Sequence, residues 1–131
     1  MAAPVSKNEE AAWITAQTSR FGSVAVDPAR IITMVSPFLG FPDSRRFFLR
    51  PHSEKSPFLW LQSLDRPELA FVTIQPAIIL PDYRPEIPSA VLRELELEPG
   101  TQPDLLVILT IPAGRPKEMT ANLLGPVALN V

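Results

Sequence analysis

Proline is the feature that most limits what this chain can become. It supplies 16 of 131 residues, about 12%, more than double the usual ~5%. From Pro28 onward, successive prolines are separated by at most ten residues. A proline inside a helix removes a backbone donor and clashes with the preceding turn, so only residues 1–27 and the short gaps between prolines are open to helix. Long helices, bundles and coiled coils are excluded. Five glycines bring proline plus glycine to 21 residues, about 16%, below the ~25–30% of low-complexity disorder. The prolines therefore act as punctuation between short elements. With 46% apolar residues, a chain of this length can bury most of its surface around one core, and a single globular domain is expected over 13–131, preceded by a flexible tail over 1–12.

Other counts remove whole classes of chemistry. Without cysteine there is no disulfide, thiolate zinc site or thiol nucleophile. One histidine, His52, forbids a multi-histidine metal site and leaves any hydroxyl–histidine–carboxylate triad a single possible base. Its setting, Pro51-His52-Ser53-Glu54-Lys55, reads as a polar, proline-bounded loop, whereas a general base needs burial or a fixed partner. No apolar run approaches the ~20 residues that span a membrane. Glu9 and Glu10 stand where a secretory signal needs an apolar stretch. The expected compartment is the cytoplasm, with no membrane association, metal or cofactor.

Short strands are the predicted elements. Residues Trp13 to Val26 read as a hairpin turning at Arg20-Phe21-Gly22. Arg30 to Val35 is rich in β-branched residues and lies between Pro28 and Pro37, which predicts a strand. Arg46 to Arg50, Phe58 to Leu64 and Ala70 to Gln75 are each long enough for a strand and too short for an ordinary helix. Ala77 to Leu80 is an apolar run of four, and Leu105 to Ile111 a run of seven that predicts a central strand covered on both faces. Val127, Leu129 and Val131 alternate with Ala128 and Asn130, the period of a strand with one buried face. One short helix is predicted over Ser89 to Glu96, capped by Ser89, with Val91, Leu92 and Leu95 on one side. The fold class is mainly β, an antiparallel sandwich or small barrel.

Charge is unevenly spread. Between Asp82 and Asp104 six acids, Asp82, Glu86, Glu94, Glu96, Glu98 and Asp104, face only Arg84 and Arg93, a net of four negatives. Such a field repels a phosphate backbone and attracts a basic partner, so direct nucleic-acid binding is not expected. The plainer alternative is a solvated helix face with its flanks.

Enzyme signatures are absent: there is no glycine-rich phosphate loop, nucleophile elbow or histidine pair at metal spacing. Asp65 and Glu68 flank Pro67 and can be pictured as an acid and base, yet Asp-Arg-Pro-Glu is ordinary turn composition. In Phe58-Leu59-Trp60-Leu61-Gln62, alternation puts Phe58, Trp60 and Gln62 on one face and Leu59, Leu61 and Ser63 on the other, with both faces covered. Tyr83, beside carboxylates, reads either as a partner anchor or as a buried tyrosine with a satisfied hydroxyl. Thr120 and Asn122 read either as contacts or as side chains bonding loop backbone.

Taken together, Ser56-Pro57-Phe58-Leu59-Trp60-Leu61-Gln62-Ser63, Pro67-Glu68-Leu69-Ala70-Phe71-Val72, Pro81-Asp82-Tyr83, and Met119-Thr120-Ala121-Asn122-Leu123-Leu124-Gly125-Pro126-Val127 leading to Asn130-Val131 make the chain resemble the flagellar assembly factor FliW family of bacteria. Arg20-Phe21-Gly22 and Gly40-Phe41-Pro42 match that family's early turns, and the resemblance runs from Thr18 to Val131. Two departures stand out. Ser36-Pro37-Phe38-Leu39-Gly40 replaces the family's Phe-Pro-x-Gly-Leu type of turn, and members commonly continue past the Asn-Val pair into a closing strand. If that last strand is missing by truncation, a sheet edge lies open to pairing.

The resemblance implies a compact, antiparallel, β-barrel-like protein without catalytic activity. It implies binding to the translational regulator CsrA, which relieves repression of flagellin translation, and binding to flagellin, which competes for the antagonist. CsrA is a basic RNA-binding protein, so the Asp82 to Asp104 segment is expected to meet it through complementary charge. The protein-binding residues expected from motif position and charge are Glu68, Asp82, Tyr83, Glu94, Met119, Thr120 and Asn122. The chain alone is expected to be a monomer. Rival readings are a flagellin-specific chaperone that does not bind CsrA and, from another class, a small β-barrel hydrolase using His52.

Overall fold

Runs of β-branched and aromatic residues, each cut short by proline, form strands across this computed structural model, which describes residues 13–38, 40–110, 114–123 and 126–130. The expected tail over 1–12, Leu39 in the departing turn, Ile111, Leu124, Gly125 and Val131 lie outside the described residues. Contacts group the rest into two compact units. The first holds the described residues up to Arg50 together with Leu61–Ala70, and the second holds Pro51–Trp60 with the described residues from Phe71 onward.

The first unit opens with the expected hairpin. Strand β1 (Ile14–Thr18) pairs antiparallel with β2 (Gly22–Val26), Ile14 opposite Val26 and Thr18 opposite Gly22. The Thr18 hydroxyl locks the turn, accepting from the Phe21 N–H at 2.8 Å and donating to the Gly22 carbonyl at 2.9 Å. Gly22 sits at φ +70°, a left-handed conformation open to glycine at little cost. One face of the hairpin supplies Ala16 and Val26 to a core shared with Phe48 and lined by Ile14, Val24, Ile31 and Leu64.

The strand predicted over Arg30 to Val35 is shorter than expected. Asp27 Oδ1 accepts from the Ala29 N–H at 3.0 Å and Pro28 brings a preset helical φ, so Pro28–Arg30 forms a 3-10 turn instead. Of that run, β3 (Ile32–Thr33) is the paired strand, with Ile32 opposite Phe47 and Thr33 opposite Arg46 of β4 (Arg46–Pro51). Phe47 is fully buried and meets the edge of the Phe38 ring, centroids 5.4 Å apart. The next strand, β5 (Leu59–Ser63), ends in this unit with Leu61, Gln62 and Ser63 all fully buried, so both faces are covered as the alternation predicts.

In the second unit β7 (Asp104–Thr110) is the central strand. It pairs antiparallel with β6 (Ala70–Ile74), with β8 (Thr120–Ala121) and with β9 (Val127–Leu129). Val107 is fully buried and clusters with Ile74 and Leu109, against which Phe58, Val72, Ala121 and Leu123 pack. Val127 and Leu129 are buried while Ala128 is half-buried, the alternation read from the sequence.

Two short helices lie in this unit. The apolar run after Gln75, for which no element is predicted, begins in α1 (Pro76–Ile79), one helical turn that Pro76 opens with its preset φ. The helix predicted to reach Glu96 is α2 (Ser89–Glu94), two residues shorter, and Pro88 rather than Ser89 occupies the cap position. Its end is a Schellman turn. Glu96 N–H donates to the Arg93 carbonyl at 3.0 Å and Leu97 N–H to the Leu92 carbonyl at 2.8 Å, with Glu96 at φ +59°. Leu92 is buried and Val91 and Leu95 are half-buried, as the predicted face requires.

Candidate protein-binding surface

All six carboxylate residues between Asp82 and Asp104 are exposed. The second unit fixes this segment at three places. Tyr83, half-buried, donates its hydroxyl to the Leu123 carbonyl at 2.5 Å, which satisfies the hydroxyl. Asn130 Nδ2 donates to the Leu95 carbonyl at 2.6 Å, satisfying an otherwise orphaned acceptor at the end of α2. Asp104 lies opposite Leu129 in the β7–β9 ladder. Between these ties the chain carries its charge into solvent. The Arg84 guanidinium is turned to backbone, donating to the carbonyls of Pro81 at 2.9 Å and Tyr83 at 3.1 Å. Among the described residues no ion pair engages the six carboxylates. Neighbouring like charges held on fixed backbone project a negative field that a basic partner relieves.

Of the seven residues expected at a site, Tyr83 is brought against the segment that holds Met119, Thr120 and Asn122. Thr120 sits opposite Thr110 in β8, Asn122 donates its backbone N–H to the Ile108 carbonyl at 3.0 Å, and Met119 is 37% exposed. Asp82 precedes Tyr83 in an exposed turn, and Glu94 is the last residue of α2. Glu68 belongs to the first unit, where it is exposed and paired with Arg66 at 3.1 Å.

An apolar feature escaped the sequence reading. Ile78, Ile79 and Leu80 are 51%, 45% and 43% exposed, and they lead directly into the acidic segment. In the sequence the run stands only as four consecutive apolar residues, Ala77 to Leu80. Its signal was the bracketing pair Pro76 and Pro81, which leaves room for one helical turn and cannot present four consecutive residues to a core.

Asp65, pictured with Glu68 as an acid and base, is instead an anchor. Its carboxylate accepts from the backbone N–H groups of Arg45 and Arg46 at 2.8 and 2.9 Å and from the Arg46 guanidinium at 2.8 and 3.1 Å. Four donors hold the group in place. His52 is exposed, its backbone N–H bonded to the Phe58 carbonyl and its ring edge-on to Phe58 at 6.5 Å, a surface loop position.

The family model described as FliW protein matches residues 15–131. The chain belongs to the FliW family. Flagellar assembly factor FliW of Magnetococcus marinus is 40% identical over 115 residues, covering 88% of this chain and 71% of the relative. Its counterpart in Treponema denticola is 41% identical over 117 residues, covering 87% of this chain and 76% of the relative. A crystal structure of the flagellar assembly factor FliW superposes with a TM-score of 0.78 at 28% identity, covering 89% of this chain and 81% of that one. FliW membership and the mainly β fold therefore agree with what the motifs imply. Among the described residues no helix is long and apolar enough to cross a membrane.

Proposed function

We propose that this chain acts in the cytoplasm as a non-enzymatic antagonist of the translational regulator CsrA, relieving repression of flagellin translation, and that it also binds flagellin. The observation that carries the reading is the run of six solvent-facing carboxylates on a segment tied to the strands at Tyr83, Leu95 and Asp104. Complementary charge speeds encounter with a basic protein, and a fixed backbone spares the ordering cost of binding. Glu96 adds support. A non-glycine residue in the left-handed region costs about 1–2 kcal/mol, so the helix end carries a carboxylate where glycine would be easier to accommodate.

Ile78, Ile79, Leu80 and Met119 give the same unit exposed apolar contact area, which charge alone does not supply. This favours a surface that binds protein over one that only repels nucleic acid. The reading is tested by reconstituted translation of a CsrA-repressed flagellin message. Adding the purified chain is expected to restore synthesis in proportion to its ratio to CsrA, and adding flagellin is expected to reverse the effect. Repression unaffected by excess chain contradicts it.

A further inference from the structure

Ala77, Ile78, Ile79, Leu80 and Pro81 are all exposed. Lone apolar side chains on a surface are ordinary, whereas three large aliphatics in succession mark a contact site. The fold holds them in place. Pro76 is buried at the start of α1, α1 packs against the central strand β7, and the Leu80 N–H donates to the Pro76 carbonyl at 2.8 Å. Successive residues of a helical turn diverge by about 100°, so the run forms a convex ridge and not a flat face. Charge follows at once. The Tyr83 N–H donates to the Leu80 carbonyl at 3.0 Å, closing a turn that carries Asp82, and Glu86 is exposed shortly beyond it. Among the described residues neither carboxylate has an ion-pair partner. The Arg84 guanidinium between them is turned to the carbonyls of Pro81 and Tyr83.

An apolar ridge flanked by carboxylates selects its occupant. A second copy seated ridge to ridge would bring Asp82 and Glu86 of both chains together, like charge against like charge. An anionic bilayer offers apolar area, but its headgroups repel the net negative charge between Asp82 and Asp104. A basic amphipathic helix meets both features. Its apolar stripe seats the ridge in the groove between rows of side chains. Flanking lysines or arginines lay their stems along the apolar edge while their charged heads reach the carboxylates. At four residues α1 is about 6 Å long, so one or two turns of such a helix meet it. We propose, resting on the protein-binding role given to this unit above, that the Ile78–Leu80 ridge with Asp82 and Glu86 docks a basic amphipathic helix of a partner protein. The ridge supplies the apolar anchor, and the carboxylates set the sign of charge beside it.

The test is fluorescence anisotropy of a fluorescein-labelled leucine–lysine peptide of about four helical turns, titrated with the full chain. Saturable binding is expected, with a dissociation constant on the order of 10 μM. Ile78→Ser combined with Ile79→Ser is expected to weaken it about tenfold at every salt concentration. Asp82→Asn combined with Glu86→Gln is expected to weaken it severalfold at low salt and to flatten its salt dependence. All four positions are exposed, so circular dichroism of both variants is expected to match the parent. A peptide with glutamate in place of lysine is expected to stay free. No saturable binding, equal binding of the glutamate peptide, or binding that the serine variant leaves unchanged overturns the proposal. Co-sedimentation of the chain with phosphatidylglycerol vesicles, or a concentration-dependent dimer abolished by the serine substitutions, overturns it in favour of a bilayer or a second copy. None of these measurements uses CsrA or flagellin, so their failure is distinguishable from failure of the translation assay.

Discussion

Asp65 grips Arg46 through both backbone and side chain: one carboxylate oxygen accepts the Arg46 N–H at 2.9 Å and the other its guanidinium at 2.8 and 3.1 Å. This joins the start of β4 to the turn that follows β5 inside the first unit. Burial alone would raise the Asp65 pKa, but the backbone donors of Arg46 and Arg45 and the Arg46 guanidinium outweigh it, and the value falls below the ordinary 3.8. A carboxyl with a depressed folded pKa contributes stability above its unfolded value and loses it as pH falls through the folded one. Asp65→Asn is therefore expected to cost about 2 kcal/mol at neutral pH. In urea denaturation the gap to the parent should stay constant down to about pH 4 and narrow in more acid solution. A gap independent of pH throughout would remove the charge from this role.

Glu96 holds a left-handed position that closes α2. Glu96→Gly is expected to raise the unfolding free energy by about 1 kcal/mol, less than the full left-handed strain because glycine also loosens the unfolded chain. The same substitution deletes one exposed carboxylate and should slow encounter with CsrA. Stability and binding then move in opposite directions, and denaturation measured beside stopped-flow association separates them.

Tyr83→Phe deletes the hydroxyl that bonds the Leu123 carbonyl. The expected loss is about 1 kcal/mol in denaturation. Faster amide exchange should be confined to the Pro81–Tyr83 turn and to Asn122, whose N–H bonds the Ile108 carbonyl of β7. Uniform destabilisation without local exchange would show that this bond does not fix the end of the acidic segment.

Charge reversal at Glu94 and Glu96 together, both exposed at the end of α2, should lower the association rate with CsrA by about an order of magnitude at low ionic strength. The deficit should shrink as salt approaches physiological strength, where the screening length is ~8 Å. Salt-independent slowing would point to a disrupted contact instead of lost steering.

Most strands were legible because prolines and β-branched runs act locally. The limits of β4, β5, β6 and β7 fall within about one or two residues of the apolar runs that predict them, the scale on which element ends are uncertain. Misreadings arose where a cap competes with a run. Asp27 and Pro28 turned the start of one strand into a 3-10 turn, and Glu96 adopted a conformation that period reasoning assigns to glycine or asparagine. The acidic segment was legible as charge, and its exposure follows. What fixes it was not, because the Tyr83–Leu123 and Asn130–Leu95 bonds join residues 40 and 35 positions apart. Gln62 was read only as one face of a covered strand, since no sequence pattern reveals that its nitrogen is shared among three carbonyls while its oxygen has no partner among the described residues.

The most direct measurement is calorimetric titration of the purified chain with CsrA, repeated with flagellin present in excess. The account predicts binding to CsrA at micromolar concentration or below, binding to flagellin alone, and weaker CsrA binding when flagellin is already bound. Failure to bind either protein at micromolar concentration contradicts it.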